Sequence, residues 1–265
     1  MARAAVGVAL ALACGLPAFA QAKKADLDAE EAVKRFVREM NAADAGEDDR
    51  LTAIRRVAKT RHPRVVEALA PYLTAGDARQ RIAVARALAG FDRVPGTVKA
   101  LADGYTNEVN QGDGTRGVRI EMLRAFGALK AKEAAPLVNK AIEEKFIWIA
   151  KAGIDAAAKI RHKTSIEPLL RQLYRIEGKE GNKVVDMKEV EGNWIDDTLG
   201  TAAQPFSMSP TFAEANEKPM GKTEREILRD PVLAALKSIT RQNFGTHAEW
   251  NRWWVNNRRT FEVPR

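Results

Sequence analysis

The sequence predicts an all-α chain: an α-solenoid of stacked antiparallel helix pairs, interrupted by one long irregular insert. Three observations predict it. Apolar residues recur at i, i+3, i+4 and i+7 over most of the chain, the spacing that places them on one face of a helix. A helix–turn–helix unit repeats with a period of about 30 residues, in the range of solenoids. No apolar/polar alternation of useful length occurs, so the class is all-α.

The chain begins "MARAAVGVALALACGLPAFAQAKKAD". Arg3 supplies a positive start, residues 4–16 an apolar run too short to span a membrane, and Ala18-Phe19-Ala20 a small-x-small cleavage site. Residues 1–20 therefore read as a secretory signal peptide cut between Ala20 and Gln21, with a periplasmic or extracellular destination. "ALAC" approximates a lipobox, which would anchor the chain at Cys14. Ala11 stands where Leu is preferred, and apolar sequence continues past Cys14, so cleavage after Ala20 is the preferred reading. Cys14 is the only cysteine. The mature chain then has no disulfide and no thiolate metal site, and its apolar core alone must hold it.

Residues 21–177 read as a helical cap followed by repeats. Val33, Phe36, Val37 and Met40 make one helical face over 27–40. The first pair, "DDRLTAIRRVAKTRHPRVVEALAPYL", carries Leu51, Ile54 and Ala58, then Val66, Leu69 and Leu73. The second contributes Val98, Leu101 and Tyr105. The third contributes Met122, Leu123, Phe126 and Leu129, then Val138, Ala141 and Ile142. In the fourth, Ile166, Leu169, Leu170 and Leu173 fall in helical register. Alanines (Ala83, Ala85, Ala87, Ala89; Ala156, Ala157, Ala158) let neighbouring helices approach closely. Asp77 with Gln80, Thr164 with Glu167 and Thr223 with Glu226 have capping-box spacing.

Residues 106–114, "TNEVNQGDG", read as a polar loop without calcium-loop spacing. Residues 178–228 form the irregular insert. It is rich in Gly, Pro, Asn and Glu, yet carries Val184, Val185, Trp194, Ile195, Phe206 and Phe212, so part of it should pack on the helices. "NKVVDMKEVEGNWI" within it suits a small hairpin. Residues 229–258 read as a closing helix pair, with Asp230 as N-cap, Pro231 in the first turn, Leu233, Leu236 and Ile239 on one face, and a capping box at Thr246 and Glu249. Trp250, Trp253 and Trp254 then share one helical face. Such a stripe seals the end of the stack against Leu233, Leu236 and Ile239; the alternative is an exposed aromatic platform beside Arg252, Arg258 and Arg259. Residues 259–265 are a basic tail.

The pair pattern over 49–177 resembles HEAT repeats, specifically the short bacterial kind grouped with phycobilin-lyase-like units. Asp92-Arg93 resembles the Asp and Arg of the HEAT inter-helix turn; the other turns lack that Asp, and no proline interrupts the first helices. "LKSITRQNFGTHAEWNRWW" resembles the C-terminal signature of exported HEAT-repeat proteins of planctomycete-type bacteria, at Leu236, Ile239, Thr240, Gln242, Phe244, Gly245, Trp250, Trp253 and Trp254. Arg241 departs from the glycine usual there. The resemblance implies an architecture and no activity.

No nucleophile elbow, phosphate loop or dinucleotide fingerprint occurs. The three histidines, His62, His162 and His247, have no metal-ligand spacing. No catalytic, cofactor or metal residue is therefore expected. The expected function is a scaffold that binds a protein partner. Net charge of +8 raises an alternative, a polyanion binder using Arg55, Arg56, Arg79, Arg81, Arg86, Arg116, Arg119 and Arg124 on the first helices. A third reading is an enzyme with its site in the insert, where Asp196 and Asp197 follow Trp194 and Ile195.

Overall fold

The computed structural model describes residues 15–181 and 222–264. Its described residues are helical with no strand, and none of their helices is long and apolar enough to cross a membrane. The chain divides into two compact units, Met1–Ala134 and Ala135–Arg265. The division falls between the two helices of the third sequence repeat. Residues 1–14 of the expected signal and residues 182–221 of the expected insert, with the hairpin and Trp194–Asp197, lie outside the described residues.

The first unit holds α1 (Gly15–Met40), α2 (Glu47–Val57), α3 (Pro63–Leu69, prolonged by a 3-10 turn over Ala70–Leu73), α4 (Ala78–Leu88), α5 (Thr97–Thr106) and α6 (Arg116–Ala128). Helix α1 packs on α2 and α3, α2 on α4, α4 on α6, and α3 on α5. First helices thus lie beside first helices and second beside second, because one amphipathic pair cannot cover its own apolar stripe. The first helices run parallel: Arg79 in the first turn of α4 pairs with Glu47 in the first turn of α2, and Arg86 of α4 pairs with Glu121 of α6. The buried apolar set includes Phe36, Ile54, Leu69, Leu88, Leu101 and Phe126. The α1 face is narrower than its sequence suggests. Phe36 and Met40 are buried, while Val37 is 42% exposed.

The second unit holds α7 (Ala135–Ile142), α8 (Ile147–Ile160), α9 (Ile166–Gly181), α10 (Lys222–Thr240) and α11 (His247–Asn257). Helices α7 and α8 touch backbone to backbone. A Cβ on Gly153 would sit 2.9 Å from the Ile142 nitrogen and 3.0 Å from the Ala141 carbonyl carbon. The Ala-rich stretch around Gly153 is what permits this approach. Helices α8 and α10 run parallel, since Ser238 donates to the Ala158 carbonyl (2.8 Å) and Arg161 to the Ser238 carbonyl (3.0 Å).

One turn device recurs in both units. The only described non-glycine residues with positive φ are Arg93, Lys130, Arg161 and Arg241, and they follow α4, α6, α8 and α10 respectively. Lys130, Arg161 and Arg241 stand within two residues of their helix ends and Arg93 five residues past α4, each in a left-handed conformation that costs an L-residue roughly 1–2 kcal/mol and is normally filled by glycine. A second device is shared too. His62 precedes α3 and His162 precedes the 3-10 turn leading into α9, and each ring Nδ1 accepts the backbone N–H two residues on.

Several boundaries differ from the sequence reading. Asp77 caps α4 as expected, with Oδ1 accepting from the Gln80 backbone at 2.8 Å. Thr164 does not start α9, because His162 takes that role. Thr223 and Asp230 do not start a helix either. Helix α10 begins at Lys222 and runs through Pro231. Burial of Leu228 and Val232 on either side of the proline outweighs the hydrogen bond that Pro231 cannot donate. The irregular insert is accordingly shorter than 178–228 at both ends, by the last residues of α9 and the first turns of α10.

Candidate functional site

The three tryptophans sit on α11, whose start is fixed by a capping box. The Thr246 hydroxyl accepts from the Glu249 N–H, and the Glu249 carboxylate accepts from the Thr246 N–H at 3.0 Å. Hydrogen bonds donated to that carboxylate, first by the Thr246 hydroxyl (3.0 Å) and then by the Gly245 and Thr246 N–H groups, hold the Glu249 carboxyl below its usual pKa. Trp250 is 1% exposed and Trp254 6%, while Trp253 is half-buried. Trp250 packs edge-on against Phe244 at 5.0 Å and donates its indole N–H to the Phe244 carbonyl. Trp253 packs on Trp250 and on Phe261, and Trp254 also meets Phe261.

The main packing of α11 is on a helix other than α10, which carries Leu233, Leu236 and Ile239. Helix α11 packs on α9. Trp254 donates to Glu167 near the start of α9, and the His247 N–H donates to Glu177 near its end (2.9 Å). Helix α11 therefore runs antiparallel to α9. It also runs parallel to α10, which makes 229–258 something other than an antiparallel pair. The reversal is built by residues 241–246. Arg241 breaks α10 in the left-handed region, and Arg229, eleven residues before the end of α10, donates to the Gly245 carbonyl at 2.8 Å. The connection thus travels back along α10, a rise of roughly 16 Å that about five extended residues span. The tail does not hang free. Phe261 lies on two of the tryptophans, and Arg161 donates to the Pro264 carbonyl at 2.6 Å.

His247, in the first turn of α11, is 4% exposed and packs edge-on against Tyr174. Burial pushes its pKa down to about 4. The unfolded chain, with an ordinary histidine near pH 6.5, therefore binds the proton more readily. Stability carried by neutral His247 is fully present above pH 6.5, falls as the pH drops toward 4, and changes no further below that, by about 3 kcal/mol in all. Thermal melts of the wild type and His247→Gln between pH 7 and pH 4 check this: the substitution should remove much of the wild type's decline over that window.

The first-helix arginines are mostly committed inside the first unit. Arg81 (8% exposed) donates to the Val109 carbonyl and to Asn110 Oδ1 at 3.0 Å. Arg119 (7% exposed) donates to the Tyr105 hydroxyl. Arg86 and Arg124 share the buried carboxylate of Glu121, whose pKa is lowered chiefly by the Arg86 hydrogen bond. Arg56 pairs with Glu39, Arg79 with Glu47 and Arg116 with Asp113. Arg55 makes none of these pairs. Seven of the eight therefore have partners within the unit, Arg81 and Arg119 buried and Arg79, Arg86 and Arg124 still more than 60% exposed.

Residues 106–114 are a built corner. Asn110, fully buried, donates to the Leu73 and Gly104 carbonyls at 2.9 and 2.8 Å, satisfying two helix-end acceptors, and its Oδ1 receives Arg81. A cleft of about 310 Å³ opens between α1 and α2, floored by Phe36, Ala53 and Val57. Two of its cations already have partners within it, Arg35 with Glu31 and Arg56 with Glu39. No group of three or more His, Cys, Asp or Glu among the described residues is placed to hold a metal ion. Compared with known protein families, curated proteins and solved structures, the chain matches none.

Proposed function

We propose that the protein is an exported scaffold of stacked, HEAT-like helix pairs that binds a protein partner through its surface and carries no catalytic activity of its own. The observation behind this reading is the recurrence of one unit. Within each compact unit, helices pack on the helix two places along the chain, and the turns reuse a left-handed basic residue and a histidine cap. Repetition of that kind extends a surface laterally, which is how repeat proteins receive partners. On this reading Trp250 and Trp254 seal the last pair, and the reversed α11 serves as a cap in place of a further repeat. The internal pairing of seven of the eight first-helix arginines weighs against polyanion binding on that face.

Export follows from the N-terminal sequence. Protein isolated from its own host should begin at Gln21 by mass spectrometry; a diacylated Cys14 would overturn this. The scaffold reading is tested by affinity purification of the tagged mature chain from its own envelope extract after nuclease treatment. A stoichiometric polypeptide partner is expected. Recovery of the chain alone, or with only nucleic acid or polysaccharide, would sink it.

A further inference from the structure

The first unit separates its charge by end. Its parallel first helices place the turns that follow α2, α4 and α6 together at one end, and the turns that precede them at the other. The following turns (58–62, 89–96 and 129–134) carry Lys59, Arg61, Arg93, Lys130 and Lys132, all exposed, against Asp92 and Glu133. The preceding turns (41–46, 74–77 and 107–115) carry Asp44, Asp77, Glu108 and Asp113 and no Lys or Arg, although Arg79 and Arg116 stand in the first turns of α4 and α6 and Arg116 pairs with Asp113. Helix dipoles do not explain this. Alternating helices put both N-termini and C-termini at each end, so the dipole preference cancels. Arg93, beside Asp92 at 3.6 Å, and Lys130 take the left-handed turn position that Arg161 and Arg241 take elsewhere, and both side chains are exposed.

We propose that this basic turn edge is the docking surface for an acidic segment of a protein partner. The proposal rests on the scaffold reading and names the chemistry of its partner. Neighbouring helices stand about 8–10 Å apart, so the cations form a spaced row rather than a dense field. Asp92 and Glu133 interrupt the row, and the opposite end is acidic. A stiff polyanion would meet repulsion at both; a protein segment with spaced carboxylates fits the row and is oriented by the acidic far end.

The test uses the mature chain and a fluorescent oligoglutamate peptide, with binding read by anisotropy at low ionic strength. Arg93→Glu, Lys130→Glu and Lys132→Glu together should weaken binding by at least about tenfold. Reversing Arg35, Arg38 and Arg79, which are exposed on the first unit away from those turns, makes the same change in net charge and should cost less than about twofold. Equal losses from the two sets, or no binding by the wild type, would overturn the proposal. So would heparin or single-stranded DNA binding the same residues more tightly than the peptide. Failure here is separable from failure of the scaffold reading: a partner captured from the envelope and retained by the edge-reversed variant would discard the edge and leave the scaffold standing.

Discussion

Replacing Trp250 by Ala should destabilise the second unit by about 3–5 kcal/mol, the usual cost of deleting a large, fully buried aromatic side chain. The indole is 1% exposed, touches Phe244 and Trp253, and its N–H satisfies the Phe244 carbonyl. Deleting it opens a cavity at the point where residues 241–246 turn back, and leaves that carbonyl without its donor. The loss is large against the roughly 5–15 kcal/mol that holds a typical domain. It should also be local. Hydrogen exchange should quicken in α9, α10 and α11 while α2 to α5 keep their protection, because the first unit has its own core. Trp250→Phe keeps the ring contact and should recover much of the loss. An unchanged melting curve for Trp250→Ala would mean that the aromatic face holds nothing.

The second large effect is expected at Asn110. Asn110→Ala removes three hydrogen bonds at once: those donated to the Leu73 and Gly104 carbonyls and the one received from Arg81. All are buried, and a buried polar group stripped of its partner costs about 1–3 kcal/mol. Two carbonyls and part of a guanidinium are stranded together, so the total should reach about 3–4 kcal/mol. Denaturant unfolding of the purified variant measures it. Asn110→Asp keeps an acceptor for Arg81 but sets a carboxylate oxygen against both carbonyls, so it should cost at least as much as Ala. A cost below about 1 kcal/mol for Asn110→Ala would show that residues 106–114 are the ordinary polar loop their sequence suggests.

Why Asn110 escapes a sequence reading is instructive. Among Thr, Asn, Gln, Asp and Gly it looks solvated, and Arg81, one charge among many, looks like surface. Nothing local reports that the two meet inside the unit 29 positions apart. The helical periods were legible because burial imposes them: Phe36, Ile54, Leu69, Leu101 and Leu169 all lie in the core. The shared face of Trp250 and Trp254 was legible for the same reason. Its partner was not, because the reversal over 241–246 depends on single bonds, one donated by Arg229 and one accepted by Glu177, that have no period. At Asp230-Pro231 a strong local start signal lost to the burial of Leu228 and Val232. The left-handed Arg93, Lys130, Arg161 and Arg241 carry no advance mark, since glycine is the residue expected at such positions.

The claim that this chain acts by holding another protein is tested most directly inside its own host. A photo-crosslinking amino acid would be placed singly at Lys130, Arg93 or Arg38, and the cells irradiated before lysis. All three side chains are exposed, so each substitution should be tolerated. The account predicts one discrete crosslinked species containing a second polypeptide from positions 130 and 93, and none from position 38. Exported, folded protein that yields no polypeptide crosslink from any position would contradict it.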